Sequence, residues 1–356
     1  MSRLHESILL IYKHHLNRVN YDTQKCWFQF VKDESTRGSG KLFRYISAED
    51  KQYLSVHWTT HGDIGCSGPE EFLMQQIQFW LKKWYISNTH NHELASELLH
   101  FVKYARDNHN SSHVFDEHAL DNALKGYAKE TKGSDVFTPS TLRLLPVYAK
   151  RALANAVQWA INNVVVPHQW LLSLNALLGK PKGCRTVSKT PVLYRMALRS
   201  ESDVRQWEID NAQEYDTATL GNSALYAALT RNIQAEVATL LNKSYAAIFN
   251  DYDKFFDTMD VPSLLVAGIN HNFPLSWMAF ALQQHLAPRV LQACGHTSVS
   301  RQICNSILAG CKLSCPFTRV YVYKAMRELC KNIPMQIRRY ILMTHRCLPQ
   351  GQTRSK

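Results

Sequence analysis

The chain has 356 residues, 45% hydrophobic and 20% charged, enough for a sizeable core and for two domains. No apolar run reaches the roughly 18 residues of a membrane-crossing helix, and Ile8-Leu9-Leu10-Ile11-Tyr12 is too short for a secretory leader, while nine scattered cysteines suit free thiols in a reducing compartment; the expectation is an intracellular protein with no membrane partner, in nucleus or cytoplasm. The net charge is +12, and from Val261 onward twelve Lys or Arg stand against one acid, Glu328, a balance that suits a polyanion such as nucleic acid or a fragment whose balancing acids are missing.

In chain order, Ile8 to Val19 reads as an amphipathic helix and Ser35-Thr36-Arg37-Gly38-Ser39-Gly40 as a flexible break. His57, His61 and Cys66 are close enough to bring zinc to mind, but their spacing fits no standard finger and a fourth ligand is not evident. Pro69-Glu70-Glu71 opens a helix with acids where the dipole favours them, and Phe72, Ile77, Trp80, Leu81 and Trp84 form its core side. A second helix runs from about His92 to Arg106, with Leu94, Leu98, Phe101, Val102 and Ala105 inward, and Asp107 to Phe115 reads as a polar linker. Ala119 to Lys129 is helical; a turn-rich stretch over 131–139 leads into another helix, and Val147 to Asn163 forms a long one.

Leu171 to Leu178 and the residues from Arg185 onward read as two strands around a basic turn. Its cations, Lys180, Lys182, Arg185 and Lys189, suit a triphosphate, since Arg makes forked contacts with phosphate oxygens and Lys acts as a point charge; a solvated basic hairpin has the same pattern. Val204 to Glu214 and Thr217 to Lys243 read as helices. The second carries Leu225, Ala228, Leu229, Ile233, Val237, Leu240 and Leu241 on one face, expected to pack against a sheet.

The stretch Ala246-Ala247-Ile248-Phe249-Asn250-Asp251-Tyr252-Asp253-Lys254-Phe255-Phe256-Asp257 is the centre of the reading. A short strand would bring Asp251 to its end, beside a cleft, where a carboxylate can hold Mg²⁺ together with substrate phosphates; Phe255 and Phe256 would form a floor for a sugar. The same residues also fit a strand end with surface acids. Asp260 then caps a helix with Pro262 just inside it, a second helix spans Pro274 to Ala287, and 288–299 forms a hairpin about Gly295. Ser306 to Pro316, with Gly310 allowing close backbone approach, leads into a helix from Phe317 to Cys330.

Several of these stretches resemble reverse transcriptases of the non-LTR retrotransposon type. The central stretch is similar to their first catalytic motif, Asp-x-x-Lys-Ala-Phe-Asp. Asp251 falls on the metal-binding Asp, Lys254 on the Lys, Phe256 on the aromatic gate that excludes a 2′-hydroxyl and Asp257 on the last Asp, with Phe255 replacing Ala. The basic turn is similar to the fingers segment in which Lys180 or Lys182, with Arg185, would grip the triphosphate. Gly133 and Asp135 match part of Gly-x-Asp-Gly-x-x-Pro, with Val136 in place of the second Gly. Gly310, Leu313 and Ser314 match Gln-Gly-x-x-Leu-Ser-Pro, with Ala309 replacing the Gln and Pro316 one place late; Gly310 would position the template.

The resemblance implies an α+β fold: a helical N-terminal extension (1–130), fingers (131–215), an incomplete ferredoxin-like palm (216–341) and an aberrant tail (342–356). It implies RNA-directed DNA polymerase chemistry, with an RNA or DNA template-primer, a deoxynucleotide triphosphate and Mg²⁺ as partners. Two ions about 3.5–4 Å apart serve such chemistry. The family holds them with the equivalent of Asp251 and a later Tyr-x-Asp-Asp turn; here Asp251 would be left with the backbone carbonyl of Tyr252, a residue the resemblance also places among those that bind the nucleotide. Tyr340 stands where that turn belongs, but both acids are missing and no Asp follows Asp260. Leu342-Met343-Thr344 can be encoded as CTG-ATG-ACN, which reads GAT-GAC two bases in; the tail from Leu342 is therefore expected to be a frameshifted reading. The chain is expected to be inactive as a polymerase. The alternatives are a non-catalytic nucleic-acid-binding protein of polymerase shape and a helical interaction module on residues 69–163.

Overall fold

The computed structural model describes residues 66, 68–109, 114–125, 127, 133–135, 137–179, 184–213, 216, 224–245, 252, 254–293 and 295–332, with positions 18, 21, 22, 25 and 29 near the start. The chain divides into two compact units, residues 1–53 and 54–356. In the first, the five described positions are helical; the amphipathic helix expected over Ile8–Val19 lies outside the described residues except for Arg18. His57 and His61 also lie outside them.

The second unit mixes helices with one four-stranded sheet, as the α+β expectation requires. Helix α1 (Pro69–Trp84) begins at a proline, has Glu70 and Glu71 in its first turn and ends with Lys82 and Lys83, so both ends complement the helix dipole. It buries Phe72, Leu73, Ile77, Trp80 and Trp84. Helix α2 (Asn88–Asp107) starts before the expected His92 because the Ser87 hydroxyl caps it, accepting from the His90 amide at 3.1 Å. Phe115, read as the end of a linker, is only 1% exposed and belongs to the core. Helices α3 (Glu117–Lys125), α4 (Pro139–Arg143) and α5 (Val147–Asn162) follow, α4 opening on a capping box between Thr138 and Thr141.

Strands β1 (Ser173–Gly179) and β2 (Cys184–Lys189) form the expected antiparallel hairpin, with Leu178 opposite Arg185 and Gly179 opposite Cys184. Helix α6 (Val192–Arg199) is held at its start by Asp135, whose Oδ2 accepts from the amides of Val192 at 2.6 Å and Leu193 at 3.4 Å. Gly133 lets that loop close: a β-carbon there would lie 2.8 Å from the Thr190 carbonyl and 2.9 Å from the Val192 nitrogen. The partial match over 133–139 is thus, in this fold, a helix-capping loop.

Helix α7 (Asp203–Asp210) is shorter than the expected Val204–Glu214; α8 (Ala224–Leu240) ends before the expected Lys243, and its expected first residues, 217–223, lie outside the described residues. The apolar face expected to bury α8 does not do so. Leu229, Ile233, Val237, Leu240 and Leu241 are exposed, Leu240 by 82%, because no described strand lies across them. Helix α9 (Val261–Asn270) is capped by Asp260, which accepts from the Ser263 amide at 2.9 Å. Helix α10 (Leu275–His285) buries Trp277, Met278, Ala279, Phe280, Ala281 and Leu282, with Gln284 and His285 buried beside them, and so is enclosed on every side as a central core helix is.

Strands β3 (Arg289–Ala293) and β4 (His296–Thr297) form the hairpin expected about Gly295. The sheet order is β2-β1-β3-β4, with β3 parallel to β1 and Ser173 beside Arg289. Burial alternates along β1 and β3, putting Ser173, Asn175, Leu177, Arg289, Leu291 and Ala293 on the inner face. Helix α11 (Ser314–Asn332) is the last described element and starts before the expected Phe317. Cys66, Cys184, Cys304 and Cys311 are free thiols, but Cys315 is disulfide-bonded, against the expectation of free thiols throughout. Among the described residues no helix is long and apolar enough to cross a membrane.

Candidate functional site

Three stretches distant in sequence meet at β2. The first is the hairpin itself. Cys184 and Thr186 point inward while Arg185, between them, is exposed. Lys180 and Lys182 lie outside the described residues.

The second is the stretch around Tyr252. Asp251 and its neighbours 246–250 also lie outside the described residues. Tyr252 is 55% exposed, and its ring lies 5.3 Å from that of Phe255. Lys254 has a left-handed backbone, φ 50°, which turns the chain sharply into a short 3-10 turn, Phe255–Thr258. Its ammonium group donates to the Cys184 carbonyl at 3.4 Å and lies 5.4 Å from the centre of the Trp80 ring. The motif lysine thus reaches the strand residue next to Arg185. Phe256, expected to face a sugar, is half-buried against the core, and its carbonyl accepts from the Ile307 amide at 2.9 Å.

Asp257 turns away from solvent. It is 6% exposed, accepts from Trp84 Nε1 at 2.8 Å and lies 3.9 Å from the Arg289 guanidinium. Burial raises its carboxyl pKa above the usual range, more than Arg289 and the Trp84 hydrogen bond lower it. Arg289 is 1% exposed, lies 4.7 Å over the Trp84 ring and donates to the His285 carbonyl at 3.0 Å. Burial brings its pKa down to about 10, so it stays charged at neutral pH. His285, fully buried, accepts from the Leu308 amide at 3.4 Å; burial, with Arg289 adding to it, holds its pKa near about 3, so the ring is neutral. Sequence reasoning missed this cluster: Trp84 read only as core, and nothing in Pro288-Arg289-Val290 marks a buried arginine. An isolated cation in an apolar strand and a Trp needing an acceptor were the available signals.

The third is the turn at Gly310. Its φ of 102° is a conformation that favours glycine. A β-carbon there would lie 3.6 Å from the Ser188 carbonyl, and the Ser188 amide donates to Ala309 at 3.0 Å. The close approach that the glycine makes in this fold is to the β2 backbone.

The described residues do not by themselves assemble a two-ion site. Asp257 is committed to Trp84 and Arg289, and no Asp follows Asp260. Among the described residues, which do not include Asp251, no group of three His, Cys, Asp or Glu converges. No protein-family model matches the chain, and no curated protein matches it.

Proposed function

We propose that this chain is a degenerate reverse-transcriptase-like protein from a retroelement, whose intact relatives carry out template-directed nucleotidyl transfer and which is itself inactive in that reaction. The observation that supports the reading is the meeting of the three sequence stretches at one strand. Lys254 bonds to Cys184, Phe256 bonds to Ile307 and Ser188 bonds to Ala309. Stretches picked out by resemblance alone need not have met. In this reading Lys180, Lys182 and Arg185 would grip a triphosphate, Asp251 and the Tyr252 carbonyl would offer one edge of a cation site, and Phe256 would stand behind the sugar. Asp251 without the later acid pair cannot hold two ions in register.

Primer extension with Mg²⁺ or Mn²⁺ on an RNA or DNA template-primer tests this. No incorporation is expected, and robust incorporation lost in Asp251→Ala would overturn the claim of inactivity. The coding DNA tests the frameshift: a Leu342 codon not ending in G rules it out. The second reading is a non-catalytic nucleic-acid-binding protein, favoured by the excess of cations after Val261. Salt-dependent RNA binding without incorporation supports it.

A further inference from the structure

On α11, Lys324, Arg327 and Lys331 are exposed and recur at helical spacing, so they line one side of the helix over about 10 Å. Several cations of the unit have acids: Lys150 pairs with Asp121, Arg151 with Glu117 and Lys312 with Glu201. Among the described residues, Lys324, Arg327 and Lys331 have no ion pair. Glu208 and Asp216, which reach α11 from other segments, are both taken by Arg319; Asp260 lies beside Tyr321, and Glu328 is the one acid of the helix itself.

An aromatic surface adjoins these cations. The rings of His271, just past α9, and Tyr323 lie 4.6 Å apart, tilted 55° to one another, and both are half-buried, each leaving part of its surface open. The His271 carbonyl accepts from Trp207 Nε1 at 2.8 Å, and the Tyr323 hydroxyl accepts from Gln213 at 3.4 Å, so both residues are tied to the α7 region. Burial, then the nearby charges of Arg327 and Lys324, depress the His271 pKa, which leaves a neutral ring beside the cations.

We infer that the Tyr323–His271 platform and the Lys324, Arg327 and Lys331 row form a binding surface for single-stranded nucleic acid, with the strand's phosphates on the row and a base on the rings. Unpaired cations answer a backbone of regular negative charge, and stacking needs no particular base. This inference rests on the nucleic-acid reading above but places binding away from the hairpin.

The test is fluorescence anisotropy of a labelled oligouridine with the full chain between 50 and 300 mM KCl. Each phosphate contact to a single strand contributes about 0.7 to the slope of log K against log salt. The triple variant Lys324→Ala/Arg327→Ala/Lys331→Ala is expected to reduce that slope by about 2 and to weaken binding roughly 100-fold at 0.1 M salt. These side chains are exposed, so circular dichroism should show an unchanged fold. A slope unchanged in the triple variant but reduced in Arg185→Ala overturns this surface and leaves the nucleic-acid reading standing. No binding by the wild-type chain at 50 mM salt overturns both. Binding to anionic lipid vesicles without binding to the oligonucleotide likewise overturns this assignment.

Discussion

Replacing Asp257 tests the polar core beneath the sheet. Its carboxylate lies 3.9 Å from the Arg289 guanidinium and 2.8 Å from Trp84 Nε1. At an effective dielectric near 20, two unit charges about 4 Å apart attract by about 4 kcal/mol. Removing one partner of a buried pair costs about 3–5 kcal/mol, because the other charge is left uncompensated. Asp257→Asn keeps an acceptor for Trp84 and leaves Arg289 without its counter-charge, but it also relieves the carboxylate's own burial, so the expected cost is smaller, about 1–3 kcal/mol. Asp257→Ala also orphans the indole N–H, adding about 1–3 kcal/mol. Adding Arg289→Met to Asp257→Asn should recover most of the loss, since an apolar side chain of similar size leaves no buried charge. Urea unfolding followed by far-UV circular dichroism, with an unchanged m value, is the assay. A cost below about 1 kcal/mol for Asp257→Asn would refute the reasoning, showing that the Trp84 face and the His285 carbonyl hold the arginine without the acid. The pH dependence has a definite sign. Burial lifts the Asp257 pKa above its ordinary 3.8, so just above that pH the folded chain holds a proton that the unfolded chain has lost. The stability contributed by this group therefore falls as pH rises through that window, and Asp257→Asn abolishes that slope.

Two further predictions follow from burial and exposure. His285 has a folded pKa near about 3 against an ordinary 6.5, so above 6.5 it is neutral in both states, and as pH falls toward 3 stability drops by about 1.4 kcal/mol per unit; His285→Gln should flatten the stability profile between pH 4 and 6, and an unchanged profile would contradict the burial of the ring. Leu240→Ser should change stability by less than about 0.5 kcal/mol, because Leu240 is 82% exposed; a loss of about 2 kcal/mol or more in thermal or urea unfolding would mean that the α8 face is covered after all.

Much of the fold could be read from local signals. Pro69 with its acids, Asp260 before Pro262, the basic sequence between Gly179 and Cys184 and the turn at Gly295 act within a few residues of chain, and each adjoins an element that is present. Long-range placement could not be read in this way. The parallel pairing of β1 with β3 leaves no trace in either strand's composition, since both simply alternate. The α8 stripe misled because helical periodicity records which side is apolar and not what covers it. At the site, the residue types at Lys254, Phe256 and Gly310 could be read as motif positions. Their physical neighbours could not, because Cys184, Ile307 and Ser188 reach them through tertiary packing. Asp257 stands at the last Asp of the resembled motif, and its surroundings make it an internal anchor.

The pairing of β1 with β3 also orders events during synthesis. Helices α6 to α10 lie between the two strands, so the β1–β2 hairpin can close early, while one side of β1 waits for Arg289–Ala293 to emerge. Closing so long a loop is slow, and an unfilled strand side recruits other chains. A nascent chain stalled before β3 would therefore expose a sticky margin, and chaperone dependence should end once that strand has left the ribosome.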